Sequence, residues 1–264
     1  MANPNTPALP VPPGVPQRIL VVEDLEDQRA SLQELLQLSL GVEVDTAEDG
    51  AKGLEMLRAR PYSLVITDLR MPKVSGMKLI ETVLWDGQAA PRWPLHLARL
   101  QRSAGLLGWD CPEVVPSGPD HPARLRLTLD RGGRVEGQVA PLPPVKAEWR
   151  VGLAMARLFS GDPWLSVKST RREIYDRERA ALPEGLDEVV FLNEWGEVCD
   201  GSITNVFFDR GQGMRTPPLT SGLLPGVLRA EVGCPEEVLM ADDLPRVRLW
   251  VGNALRGLIP ARWA

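Results

Sequence analysis

Lysine is scarce in this chain: among 30 Lys and Arg residues only Lys52, Lys73, Lys78, Lys146 and Lys168 are lysines. From Ala147 to Ala264, Lys168 stands alone, inside the apolar run WLSVKST, which reads as a strand. Burial disfavours an ammonium, so a lysine held among apolar residues becomes a neutral amine able to form a Schiff base, which arginine cannot do. The plain alternative is an exposed strand lysine with no chemical duty. Asp200, in GEVCDGSITNVFF, is a candidate fixed carboxylate between two β-rich runs, although most aspartates in such turns bond their own backbone. In TPPLTSGLLPGVLRAEV a glycine-bearing loop leads to Pro225, expected at the first position of a helix. The free amides of Gly226, Val227 and Leu228 would then face outward and could receive a phosphate dianion, or simply end an ordinary helix.

A second group of reactive side chains lies near the N-terminus. Glu23 and Asp24 end one apolar run and Asp68 ends another. If both runs are parallel strands, the three carboxylates meet at the carboxyl edge of the sheet, a place suited to Mg2+.

The elements that must position these groups follow from periodicity. Residues 1–17 are proline-rich and read as an extended or disordered leader. From Arg18 the order is strand (ILVV), helix (LEDQRASLQELLQLSL), strand (VEVDTAE), helix (GAKGLEMLRAR) and strand (SLVITD), which predicts a parallel α/β layer over 18–78. An α+β layer is expected over 79–146, from a helix in PLHLARLQRSAGLLG and the alternating strands RLRLTLD and RVEGQVAPL. A larger domain follows over 147–264, with the strands VGLAMARL and WLSVKST, the charged helix RREIYDRERAAL, hairpins and a closing helix and strand.

Composition removes several classes of function. The formal charge is −5 and no basic cluster is interleaved with aromatics, so nucleic acid is not an expected partner. Cys111, Cys199 and Cys234 show neither a disulfide nor a zinc spacing, which fits a reducing cytoplasm. Neither a secretory leader nor a membrane-spanning run is read in the chain. The histidines, His96 and His121, do not suit a Ser-His-Asp hydrolase, and no strand leads into a G-x-G-x-x-G dinucleotide motif.

Two resemblances join these observations. VVED and VITDLRMPKVSGMKLI, over about Arg18 to Val83, resemble a response-regulator receiver domain with Asp68 in the phosphoacceptor place. That implies Glu23, Asp24 and Asp68 as Mg2+ ligands and a histidine kinase as partner. The later receiver strands, with their Ser or Thr and Lys, do not follow, so this domain is truncated. From about Leu79 onward, LIETVLWDG, HLARLQRSA, VKSTRREIY, EVVFLNEWGEVCDGSITNVFF, TPPLTSGLLPGVLR and GNALRGLIP resemble the class IV, fold-type IV pyridoxal-phosphate family of aminotransferases and aminodeoxychorismate lyases.

The second resemblance implies pyridoxal phosphate bound as a Schiff base to Lys168, with Asp200 beside the ring nitrogen. It implies Arg99, Val227, Leu228 and Asn253 on the phosphate side. Arg171, Arg172 and Tyr175, which follow the lysine, are candidates for orienting a small amino substrate, and a homodimer is usual in that family. Asp200 stands where the family has Glu, the family's opening strands are missing, and the connection CPEVVPSGPDHPARL is short for the helix expected there. The segment MKLIETVLWDG belongs to both resemblances, as a receiver helix in one and a strand in the other; strand is expected for Leu79 to Trp85. The N-A-L of GNALRG points toward the lyase. The competing function is a phosphorylation-responsive signalling protein with a degenerate C-terminal effector.

Overall fold

Short β-branched runs alternate with longer helical periods at the N-terminus, and a second, β-rich pattern follows them. A computed structural model describes residues 18–23, 25–67 and 77–264. The chain forms two compact units, Met1–Met77 and Lys78–Ala264. Among the described residues, no helix is long and apolar enough to cross a membrane.

The first unit runs β1 (Arg18–Val22), α1 (Glu26–Leu40), β2 (Glu43–Ala47), α2 (Gly50–Ala59) and β3 (Leu64–Thr67). Its sheet is parallel, in the order β2-β1-β3. Ile19, Val21 and Val44 pack on Leu32 and Leu36 of α1, while Leu20, Val22 and Ala47 face Met56 and Tyr62 on the other side. The two faces of β1 are thus both covered, which is why ILVV is continuously apolar rather than alternating. Asp49 caps α2, its Oδ1 accepting from the Lys52 amide at 2.8 Å. On β3, Leu64 and Val65 are 49% and 38% exposed, as befits the edge of a three-stranded sheet.

The second unit opens with β4 (Leu79–Trp85), α3 (Trp93–Leu107), β5 (Ala123–Leu129) and β6 (Val135–Ala140). The strands form an antiparallel sheet in the order β4-β5-β6. LIETVLW is therefore a strand, as expected, with Val83 opposite Leu125 in the β4–β5 register. The connection between α3 and β5 contains no helix. Indole donors hold it instead: Trp85 Nε1 bonds the Pro119 carbonyl at 2.6 Å, and Trp93 Nε1 bonds that of Val114 at 3.1 Å.

The remaining strands, β7 (Trp149–Arg157), β8 (Glu188–Leu192), β9 (Val198–Gly201), β10 (Asn205–Asp209), β11 (Arg248–Asn253) and β12 (Gly257–Trp263), close into a barrel ordered β10-β11-β12-β7-β8-β9. The helices α4 (Glu173–Ala180) and α5 (Val227–Val232) belong to the same unit. Val151, Val190, Val206, Phe208, Leu249 and Val251 fill the barrel core. Closure removes sheet edges and makes the strand stems that carry the polar residues rigid.

Candidate active site

Lys168 is placed by a turn and not by a strand. The stretch expected as the strand WLSVKST begins with a 3-10 turn, Pro163–Ser166, capped by Asp162, whose Oδ1 accepts from the Trp164 amide at 2.9 Å. Asp before Pro, after Gly161, favours a turn start over a ladder, because proline donates no backbone hydrogen bond. The chain then runs alongside β4: the Ile80 amide donates to the Lys168 carbonyl at 2.9 Å, and the Thr170 amide to that of Lys78 at 2.8 Å. The lysine is thereby pinned between the small sheet and the barrel.

A cavity of about 430 Å³ opens there, and its lining includes Lys168, Asp200, Arg99, Arg126, Asn205 and Asn253. That volume suits a small molecule. Lys168 keeps some accessible surface where it borders the cavity, yet burial desolvates its ammonium. With the charges of Arg99, Arg172 and Arg126 nearby, and despite Glu81, its pKa falls to about 7. Lys52, Lys78 and Lys146 are ion-paired to Glu55, Glu136 and Asp187. The Lys168 amine is therefore set apart from them by both environment and pairing.

Asp200 is buried on β9, and burial, reinforced by the charge of Glu188, raises its pKa to about 7. The Leu224 amide donates to its Oδ2 at 3.1 Å and the Tyr175 hydroxyl faces its Oδ1 at 3.5 Å, both favouring the carboxylate form.

Arg99 is fixed from behind. Its Nε donates to Glu81 Oε1 at 2.9 Å and its Nη2 to Oε2 at 2.6 Å, while His96 Nδ1 donates to Oε2 at 2.6 Å. Burial alone would raise the Glu81 carboxyl, but Arg99 and His96 overcome it and hold its pKa at about 2. This two-pronged pairing occupies one edge of the guanidinium. Nη1 is left with only a 3.5 Å contact to the Pro225 carbonyl.

The helix start lies at Val227, with Gly226 as its cap, so Pro225 is two residues earlier than expected. A Cβ on Gly226 would lie 1.7 Å from Asn205 Oδ1, and Asn205 Nδ2 in turn holds the Leu224 carbonyl at 2.9 Å. Only glycine fits that junction. The amides of Val227 and Leu228, in the first turn, have no acceptor within the helix. Asn253 lines the cavity, but its Nδ2 donates to the Ile203 carbonyl at 3.0 Å and its Oδ1 accepts from the Leu255 and Arg256 amides.

The three residues after the lysine have diverged in duty. Arg172 is engaged by Asp176 at 2.7 Å and the Ser202 carbonyl at 2.9 Å, and Tyr175 leans on Phe191 with its hydroxyl toward Asp200. Arg171 lies 4.7 Å over the Trp164 ring. In the first unit Glu23 is buried, its Oε1 accepting from the Leu25 amide at 3.1 Å. Asp24 and Asp68, the rest of the expected Mg2+ and phosphoacceptor cluster, lie outside the described residues.

Residues 78–263 match the family Amino-transferase class IV. The chain belongs to that family. Class IV aminotransferases use pyridoxal phosphate. A "Putative amino-acid aminotransferase" from Mesorhizobium loti is 40% identical, with 72% of this chain and 100% of that chain covered and a TM-score of 0.67. A "Putative aminodeoxychorismate lyase" of Schizosaccharomyces pombe is 32% identical over 167 residues, which are 57% of this chain and 71% of the relative. The second unit has the fold-type IV architecture, and residues 19–93 match the response regulator receiver domain. The sensor histidine kinase TmoS of Ectopseudomonas mendocina is 39% identical over 92 residues, 31% of this chain but only 9% of that protein. Residues 78–93 fall in both matches, and in the structure they build β4 and the first residue of α3 in the class IV unit.

Several residues that shape the class IV cavity escaped the sequence reading. Glu81 and His96 were given no role there, although the i, i+3 spacing of His96 and Arg99 puts both on one helix face. Arg124 and Arg126 both line the cavity, as the i, i+2 alternation of RLRLTL allows.

Proposed function

We propose that the second unit is a pyridoxal-phosphate enzyme acting at the α-carbon of a small amino substrate. The observation that carries this is Lys168, an amine poised near neutrality beside a cavity that also holds Asp200. The donor set fits the cofactor at each end: a nucleophilic amine for its aldehyde, a buried carboxylate for its ring nitrogen, and the weakly held Nη1 of Arg99 with the Val227 and Leu228 amides for its phosphate. Bound pyridoxal phosphate supplies an electron sink that acidifies the substrate α-hydrogen. Lys168 would hold the cofactor covalently and, once released by substrate, move the α-proton as general base and acid. Asp200 would keep the proton on the ring nitrogen, and Glu81 would keep Arg99 aimed. Arg171, which stacks on Trp164 and borders the cavity, would meet a substrate carboxylate, since Arg172 is engaged by Asp176 and the Ser202 carbonyl.

Within this chemistry we favour the lyase over the transaminase, because Asn253, Ala254 and Leu255 resemble the lyase pattern and the fission-yeast relative carries that name. The test is pyruvate release from 4-amino-4-deoxychorismate with no 2-oxo acid added. Sustained, stoichiometric pyruvate is expected. Turnover that appears only after a 2-oxo acid is supplied would assign an aminotransferase instead.

A further inference from the structure

Behind Asp200 sits a second carboxylate that the proposed chemistry does not use. Glu188, at the start of β8, has no accessible surface. Its Oε1 accepts from the Ser202 amide at 3.0 Å, the Ser202 hydroxyl at 2.5 Å and the Val189 amide at 3.0 Å. Its Oε2 accepts from the Ile203 amide at 3.2 Å and the Thr204 hydroxyl at 2.9 Å. Arg179 of α4 approaches at 3.4 Å while anchored on the Asp187 carbonyl at 2.8 Å. Burying a carboxylate is costly unless its lone pairs are satisfied, and here four of the six donors come from one turn. That turn, residues 202–204, joins β9 to β10 and has Asp200 and Asn205 paired across its stem.

We propose that Glu188 is a positioning residue: by gathering the donors of Ser202, Ile203 and Thr204 it sets the turn that fixes Asp200 and Asn205 in the cavity. Its influence reaches further, because Asn205 holds the Leu224 carbonyl and Asp200 accepts from the Leu224 amide, so the loop entering α5 hangs on the same turn. Gly201 belongs to the device. A Cβ there would lie 2.4 Å from Thr204 Oγ1 and 2.9 Å from the Glu188 carboxyl carbon. The carboxylate also acts through its charge. Asp200 is faced by Lys168, by Tyr175 of α4, by Cys199 next to it and by Glu188 of β8, and the negative charge of Glu188 opposes its ionisation. The inference rests on the reading of Asp200 given above, but part of its test does not need the cofactor.

The experiment follows aspartate carboxyl carbons by NMR in the cofactor-free full chain across pH, with the Asp200 resonance assigned by its loss in Asp200→Asn. In Glu188→Gln the Asp200 midpoint is expected to move to lower pH, since a like charge has been removed. A role confined to packing would lower the melting temperature and leave that midpoint in place, which would overturn the proposal. Glu188→Asp keeps the charge but withdraws it by one methylene from the turn. Here the midpoint should stay near neutrality while the dissociation constant for pyridoxal phosphate rises several-fold. If Glu188→Gln does not fold, Glu188→Asp decides alone, and unchanged cofactor affinity in it overturns the proposal. Should the wild-type chain take up no pyridoxal phosphate, the functional reading fails first and the NMR comparison judges Glu188 by itself.

Discussion

Lys168→Ala should leave a folded protein that shows no protein-bound visible absorption band once free pyridoxal phosphate is removed, and no turnover above background. Loss of the general base alone accounts for a fall of roughly 10²- to 10⁴-fold, and loss of covalent capture adds to it. The expectation comes from chemistry that arginine cannot replace: Arg99, Arg126 and Arg172 surround the position with charge but offer no neutral primary amine. The same environment sets a pH dependence. The amine is held near 7, so the rate of cofactor uptake by the wild-type apoprotein should rise between about pH 6 and 8 and then level off as the neutral form saturates. A lysine with an ordinary pKa would give a rate still rising at pH 10. Stopped-flow absorbance across that range distinguishes the two.

Glu81→Ala, behind the cavity wall, is expected to be strongly destabilising. Glu81, His96 and Arg99 are 1%, 1% and 6% exposed, so removing the carboxylate leaves a guanidinium and an imidazole buried without their shared acceptor. Breaking a buried pair in this way costs about 3–5 kcal/mol. For a unit of this size that corresponds to a fall in melting temperature on the order of 10 °C. Replacing both partners with apolar residues, Glu81→Leu with Arg99→Met, should cost less than the single change, because no buried charge is then stranded. Calorimetry of the two variants checks the order. Glu81→Ala melting like the wild type would mean that water reaches Arg99 and that the pair is not a dry anchor.

The parallel layer was legible because β1 is apolar on both faces and its partners alternate with helices of ordinary length. Leu79 to Trp85 could be read as a strand only through the longer resemblance, since seven apolar-rich residues suit either state and the pairing with β5 decides. The error at Lys168 is local: the Asp162-Pro163 turn start lies just ahead of the apolar run and carries the chain into a 3-10 turn where a strand was expected. Lys168 and Asp200 were singled out because their residue types are tied to a chemistry, and Arg99 only through the family resemblance. Glu81 and Glu188 were not, because a glutamate in a strand reads as solvent-facing until its donors are seen, and those donors lie 15 to 18 residues away for Glu81 and 14 to 16 away, apart from Val189 and Arg179, for Glu188. Asn253 shows the reverse case. Its place in the cavity was anticipated, but its side chain is engaged with its own turn and with Ile203.

The most direct measurement of the central claim is the site of covalent capture. Purified chain is incubated with pyridoxal phosphate, reduced with borohydride, digested and mapped by mass spectrometry. The account predicts one dominant adduct, on the peptide that contains Lys168, because Lys52, Lys78 and Lys146 are ion-paired to carboxylates and lack its desolvated environment. Adducts spread evenly over Lys52, Lys73, Lys78 and Lys146, with Lys168 no richer than the rest, would contradict it.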